Sequence, residues 1–236
     1  MTTPVDGSPK SLLLIGASRG LGLAIAEQYL KRGWHVIGTV RGGDRTKLHA
    51  LREHWKTQLE IETVDITKPD EVVALRTRLQ GRMQDFVLVS AGVKNDDHET
   101  IADVSTDEFV RVMVTNALSP LRAIETLNAL VRPGGTIAIM SSGQGSVSNN
   151  ERGGYEVYRA SKAALNTLMR SFAARHAGEG RTLLLLAPGW VRTDMGGPQA
   201  SLGIDESIPN LVNTIEAQRG KPGLQYLDYL GRTVPW

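Results

Sequence analysis

Tyr158 and Lys162 stand four residues apart in the run Tyr158-Arg159-Ala160-Ser161-Lys162. On a helix both side chains leave the same face and can share one proton-handling site. A free phenol titrates near ~10, whereas a general acid or base works best with a pKa close to the operating pH. An ammonium ~4 Å from the phenolic oxygen favours the phenolate by ~4 kcal/mol at an effective dielectric of ~20, so the lysine alone is able to supply the tuning. The spacing therefore predicts that Lys162 lowers the pKa of Tyr158. Tyr155 has no such partner, because position 159 is Arg. Tyr-x-x-x-Lys is common by chance, and its weight comes from the rest of the chain.

A second chemical stretch lies near the other end. The apolar run Ser11 to Ile15 leads through Gly16-Ala17-Ser18-Arg19-Gly20-Leu21-Gly22 into the helical pattern Leu23 to Leu30. This reads as strand, glycine-rich turn, helix. Glycines let the backbone approach a pyrophosphate, and the free N–H groups and positive dipole end of the new helix attract the anion. A tight turn with no ligand is the simpler alternative. Glycines at 16, 20 and 22 make GxxxGxG, which differs from the GxGxxG of two-domain dehydrogenases and flavoproteins.

The elements that position these groups alternate along the chain. Apolar strands are expected near 11–15, 34–40, 59–64, 85–90, 135–141, 181–187 and 224–227, with amphipathic helices between them. That alternation implies a doubly wound α/β fold, a mostly parallel seven-stranded sheet with helices on both faces. Gly16, Arg41, Asp65, Gly92, Ser142 and Pro188 all follow strand ends, so the fold gathers them on one rim, where such sheets bind ligands. The 236 residues suit a single domain, with a flexible N-terminus over about 1–9. Gly196, Gly197, Pro198 and Gly203 suggest a substrate lid over about 195–209.

Composition excludes several classes. With 27 basic and 25 acidic residues the net charge is +2, no broad field for nucleic acid. The absence of cysteine removes disulfides, thiolate nucleophiles and zinc-thiolate sites. The apolar run Leu183 to Ala187 is too short to span a bilayer, and Met1 to Lys10 has no secretory pattern, so a soluble cytoplasmic protein is expected. Asn95-Asp96-Asp97-His98-Glu99 carries ligand-type side chains but no second cluster pairs with it, so it reads as a solvated loop with no metal. Arg41, Arg45, Lys47 and Arg52 suit a cofactor phosphate and solvent.

Together with these motifs, Val64-Asp65-Ile66, Ser90-Ala91-Gly92, Asn116 ahead of Ala117-Leu118-Ser119-Pro120, Ile139-Met140-Ser141-Ser142 and Pro188 to Gly197 resemble the short-chain dehydrogenase/reductase family over nearly the whole chain. Pro188 to Gly197 and Leu227 to Trp236 look most like its C-factor and sniffer-type carbonyl reductase branch. The resemblance implies a single Rossmann-type domain, a homodimer or homotetramer, and hydride transfer between a nicotinamide and a carbonyl or secondary alcohol. Tyr158 is then the proton donor, and Ser142 holds the substrate oxygen, with Ser141 and Ser146 as the other hydroxyls nearby. Lys162 tunes Tyr158 and binds the nicotinamide ribose, connecting through water toward Asn116. NADP(H) is implied along Gly16, Ser18, Arg19, Gly20, Leu21, Gly22, Arg41, Asp65, Ile66, Ala91, Gly92, Tyr158, Lys162, Pro188, Gly189, Val191 and Thr193. Arg19 and Arg41 favour NADPH over NADH, since NAD-specific relatives usually carry an acid after the second strand.

The chain departs from the family pattern in two places. Ser90 replaces the usual Asn, and the segment from Ser142 to Tyr158 is longer than its commonest version. Asn116 as a locally satisfied helix residue and Asp65 as a turn former are the plainer alternatives. Three other classes compete with this reading. A methyltransferase wants an acid where Arg41 stands, and an extended epimerase wants a larger C-terminal region. A non-catalytic NADP sensor of the same fold often loses the tyrosine or lysine, and both are present here.

Overall fold

The computed structural model describes residues 9–236; the flexible N-terminus expected over 1–9 lies, apart from Pro9, outside the described residues. Seven strands form one sheet: β1 (Ser11–Ile15), β2 (His35–Val40), β3 (Leu59–Thr63), β4 (Gln84–Val89), β5 (Val131–Met140), β6 (Thr182–Ala187) and β7 (Gly223–Asp228). Their order is β3-β2-β1-β4-β5-β6-β7. Every neighbouring pair is parallel, so the sheet expected to be mostly parallel is wholly so. The chain winds outward from β1 in one direction and from β4 in the other. Between them the loops part and leave a crevice at the carboxyl ends of the strands.

Both faces of the sheet are covered, which is why its central strands β1, β4 and β6 read as apolar runs. Leu12 and Leu14 of β1 pack toward helices α1 (Gly20–Lys31), α2 (Lys47–His54) and α7 (Ile204–Gln218), meeting Ile25, Leu30, Leu48 and Leu211. Leu13 and Ile15 face the other way, toward Val72 of α3 (Pro69–Arg78), Ile124 of α5 (Ser119–Leu127) and Leu165 of α6 (Glu156–Arg175). Fully burying such a side chain contributes about 1.5–3 kcal/mol. A one-residue slip of β1 would exchange the two faces, so its register is fixed.

α4 (Thr106–Met113) opens on Ser105, whose hydroxyl accepts the Glu108 N–H at 3.1 Å. It continues without a break in helical backbone through a π turn at Val114–Leu118 into α5, with Ser119 N donating to Val114 O. Pro120 has no N–H to offer the Asn116 carbonyl four residues earlier, a sequence-level reason for the wider turn here. The stretch expected as a lid over 195–209 runs into a helix at its far end. Residues 204–209 are the first turns of α7, with Pro209 inside the helix and Ser207 buried, its hydroxyl donating to Pro188 O at 2.6 Å.

Glycine is required where β1 meets α1. Gly16 has φ +88°, and a Cβ there would fall 2.8 Å from Ala91 N; a Cβ on Gly22 would fall 2.0 Å from Gly16 O. Gly22→Ala is expected to cost about 1–3 kcal/mol through overpacking, lowering Tm by about 2–12 °C in a thermal melt. Gly43→Ala, with nothing within 4 Å of the added carbon, is the control and leaves Tm nearly unchanged.

Candidate active site

α6 runs for 20 residues and carries Tyr158, Lys162 and Asn166 at successive fourth positions, one stripe along one face. Lys162 is almost wholly buried and donates from Nζ to Met140 O, the end of β5, at 2.9 Å. The ammonium lies 5.7 Å from the centre of the Tyr158 ring. Burial pushes Lys162 down to about 8. Burial also pushes the Tyr158 hydroxyl up to about 12, against the opposing effect of its hydrogen bond with Ser142. The expected lowering of the tyrosine by the lysine is therefore not what this arrangement does: desolvation dominates, and the ammonium is turned toward a backbone carbonyl.

Ser142 follows β5 and holds the turn at 143–145, its hydroxyl accepting the Gln144 N–H at 3.2 Å. The neighbouring hydroxyls are committed elsewhere. Ser141 donates to Asn166 Oδ1 at 2.7 Å, and Ser146 accepts from Asn149 N at 3.2 Å. Asn166 in turn donates to Gly145 O at 3.1 Å, and the hydroxyl of Tyr226 on β7 donates to Ser142 O. Asn166 and Tyr226 were not singled out from the sequence. The fourfold spacing after Lys162 marks Asn166 in retrospect, whereas nothing local marks Tyr226, which reaches Ser142 only because β5, β6 and β7 are neighbours.

Asn116 is completely buried in the π turn. Its Nδ2 donates to Val93 O at 2.7 Å and Ser161 Oγ at 3.0 Å, and its Oδ1 accepts from Val93 N at 2.8 Å. These partners are distant in sequence, so the local-satisfaction alternative is wrong. A Cβ on Gly92 would sit 3.4 Å from Asn116 Oδ1 and 3.7 Å from Lys162 Nζ. Both side chains therefore close in on Gly92, within van der Waals contact of that added carbon.

Ser141, Ser142, Tyr158 and Lys162 border one cavity of about 650 Å³ between the diverging loops. Every residue proposed from the sequence for catalysis or nucleotide contact lines it, except Asn116, which lies beneath. α1 begins there with no acidic residue in its first turn and no side chain capping its N–H groups, and Gly20 leaves room above them. Arg19 and Arg41 stand at this end, Arg19 reaching Asp194 at 3.4 Å across the cleft. Asp65 resists the upward push of burial: Thr67 donates to it from N at 2.9 Å and from Oγ1 at 2.7 Å, and with Arg41 nearby its carboxyl stays below the usual range. Beyond β6, Val191 pairs with Leu202, Gly196 N donates to Thr193 Oγ1 at 3.0 Å, and Trp190 Nε1 donates to Gly196 O at 2.8 Å. A close backbone cradle, unsatisfied helix N–H groups and two arginines fit an anionic dinucleotide with an extra phosphate. The loop at Asn95 is drawn into the same wall, since Asp97 pairs with Lys94 at 2.5 Å and both line the cavity.

Comparison with known proteins agrees with this geometry. A family model described as enoyl-(acyl carrier protein) reductase matches residues 16–219. A short-chain dehydrogenase/reductase from Burkholderia multivorans with bound NADP is 57% identical over 97% of this chain and 100% of its own, with a TM-score of 0.96. A carbonyl reductase from Pseudomonas aeruginosa PAO1 in complex with NADP is 35% identical, covering 97% and 100%, with a TM-score of 0.90. C-signal of Myxococcus xanthus is 38% identical over 138 residues, 58% of this chain and 83% of its own length. Among the described residues no helix is long and apolar enough to cross a membrane.

Lys162 carries a thermodynamic signature. Its depression from 10.5 to about 8 corresponds to about 3 kcal/mol of destabilisation, partly offset by about 1 kcal/mol from the bond to Met140 O. Because the folded pKa lies below the unfolded one, this penalty is complete below pH about 8 and fades as pH rises from there toward 10.5. In nucleotide-free protein Lys162→Met is expected to raise Tm by about 4–8 °C at pH 7. The gain should shrink toward pH 10 in melts across that range.

Proposed function

The chain belongs to the short-chain dehydrogenase/reductase family, and from that premise we propose that it is an NADP(H)-dependent reductase of aldehydes or ketones, working in reverse on the corresponding primary or secondary alcohols. The observation that carries this reading is the single cavity bordered at one end by the glycine cradle and two arginines and at the other by Ser142, Tyr158 and Lys162. It is supported by the NADP bound to the Burkholderia and Pseudomonas relatives.

In reduction, Tyr158 gives its hydroxyl proton to the carbonyl oxygen while the carbonyl carbon accepts a hydride. A bound nicotinamide supplies that hydride and takes it back in oxidation. At about 12 the phenol is fully protonated at neutral pH, the form that reduction uses; oxidation uses the phenolate. Ser142 donates a hydrogen bond to the same oxygen, stabilising the charge that develops there. Lys162, anchored by its bond to Met140 O at 2.9 Å, would hold the ribose hydroxyls. Asn116 fixes Val93 and Ser161, and Ser161 donates to Tyr158 O at 2.7 Å, so Asn116 holds the start of α6 in register with the wall opposite. A homodimer or homotetramer and a cytoplasmic location belong to the same proposal.

The competing reading, a non-catalytic NADP sensor, draws on the likeness to C-signal; retention of the tyrosine, lysine, serine and asparagine favours the enzyme. Tyr158→Phe removes one oxygen with little change of shape. It should lower kcat on a good carbonyl substrate by ~10²-fold or more while NADPH binding stays near normal. Wild-type turnover in that variant would overturn the catalytic assignment. The wild-type rate of reduction should fall, and that of oxidation rise, as pH increases into the alkaline range where the phenol ionises.

Arg41 and Arg19 give the phosphate preference its test. A charge-assisted bond is worth about 1.5–3 kcal/mol, so Arg41→Ala should weaken NADPH about ten- to a hundredfold and spare NADH. Titration of both nucleotides by fluorescence reads the difference, and equal losses would remove Arg41 from the 2′-phosphate.

A further inference from the structure

At the substrate end the cavity has a wall that the proposed chemistry does not use. Tyr155, Trp190 and Met195 all line it, and they are 37%, 52% and 38% exposed. Large apolar side chains left this open beside a reaction site await something to cover them. Tyr155 is further singled out by its backbone. It has φ +53° and is the sole described non-glycine residue in the left-handed region, a conformation that costs a bulky side chain roughly 1–2 kcal/mol.

The strain is held in place from several directions. Gly153 and Gly154 before it have φ +64° and +71°. Arg159 Nε donates to Gly154 O at 2.9 Å, Arg159 N donates to Tyr155 O at 2.8 Å, and the Glu156 carboxylate accepts from Ile101 N at 2.6 Å. Strained residues so over-determined cluster at sites that clamp a ligand. Trp190 is held by its own hydrogen bond to Gly196 O, one residue beyond Met195.

Charge selects in the same direction. Apart from the buried Lys162, the formal charges lining the described cavity are Arg19, Arg41, Asp65 and Asp194 toward the nucleotide cradle, and Lys94 and Asp97, which are paired with each other. The substrate end therefore offers no free cation to a carboxylate and no free anion to an ammonium.

Resting on the function proposed above, we propose that Tyr155, Trp190 and Met195 form a clamp that selects uncharged carbonyl compounds with a bulky apolar body, such as aryl aldehydes and medium-chain alkanals.

The test is a kcat/KM series with NADPH over straight-chain alkanals of increasing length, together with benzaldehyde, 4-carboxybenzaldehyde and 4-(trimethylammonio)benzaldehyde. Activity should rise about two- to fourfold per methylene until the tail passes the rim. Both charged benzaldehydes should fall at least about tenfold below the parent, the order expected when a charge is desolvated without a partner. Tyr155→Asn keeps a residue that tolerates the left-handed region, so its Tm should equal or exceed wild type while the dependence on chain length flattens. Met195→Gln, at an exposed position, should flatten it independently. A flat series in an active wild-type enzyme, equal use of a charged benzaldehyde, or an unchanged slope in both variants would overturn the clamp and leave the reductase reading intact. Failure to reduce any carbonyl in the series would overturn both.

Discussion

The hydrogen bond from Lys162 Nζ to Met140 O joins the middle of α6 to the carboxyl end of β5, and the geometry of the site depends on it. It is made in the protein interior, where a charged donor is costly to desolvate and leaving it unpaired costs still more. Once Lys162 is tied to that carbonyl, Tyr158 is placed one turn before it and Asn166 one turn after. Asn166 then grips Ser141 and Gly145 on either side of Ser142. Helix, strand end and serine turn are tied together by these bonds, so the reactive hydroxyls are positioned by elements that brace one another.

The same contact sets stability against chemistry. A lysine pushed down to about 8 is a strained resident of the core, and a thioether would sit there more comfortably. The chain tolerates it because the charge has a task at the cavity wall, the usual bargain at a functional site. Tyr155 is a second instance, with the tension held in backbone torsion and not in desolvation.

Much of this was legible in the sequence, for reasons that differ from residue to residue. The central strands β1, β4 and β6 were visible because burial on both faces makes them apolar runs, the edge strand β3 because Leu59 and Ile61 alternate with Glu60 and Glu62, and the glycine turn because Gly16 and Gly22 meet backbone that no side chain can share. Local patterns carried those signals. Tyr226 was not visible, since its contact with Ser142 spans two intervening strand pairings. Tyr155 was dismissed for want of a lysine one turn later, and its left-handed backbone leaves no mark in residue type beyond the two glycines ahead of it. The direction of the Tyr158 shift was misjudged because spacing reveals which groups are neighbours but not how much water they have lost. The start of α7 at Ile204 was not visible in the stretch expected as a lid, because Gly203 ahead of it offers no side-chain cap.

The hydroxyl of Tyr226 reaches back 84 residues to the Ser142 carbonyl. During synthesis the ribosome finishes Ser142, Tyr158 and Lys162 well before it makes Tyr226, and β7 must then emerge and pair with β6 before that clamp can close. The site is thus assembled late, by the arrival of an edge strand, although most of its reactive groups are already present in the nascent chain. Until that moment a nascent protein could fold its nucleotide half, the β1-α1-β2 unit with its glycine turn, and still lack a properly held serine.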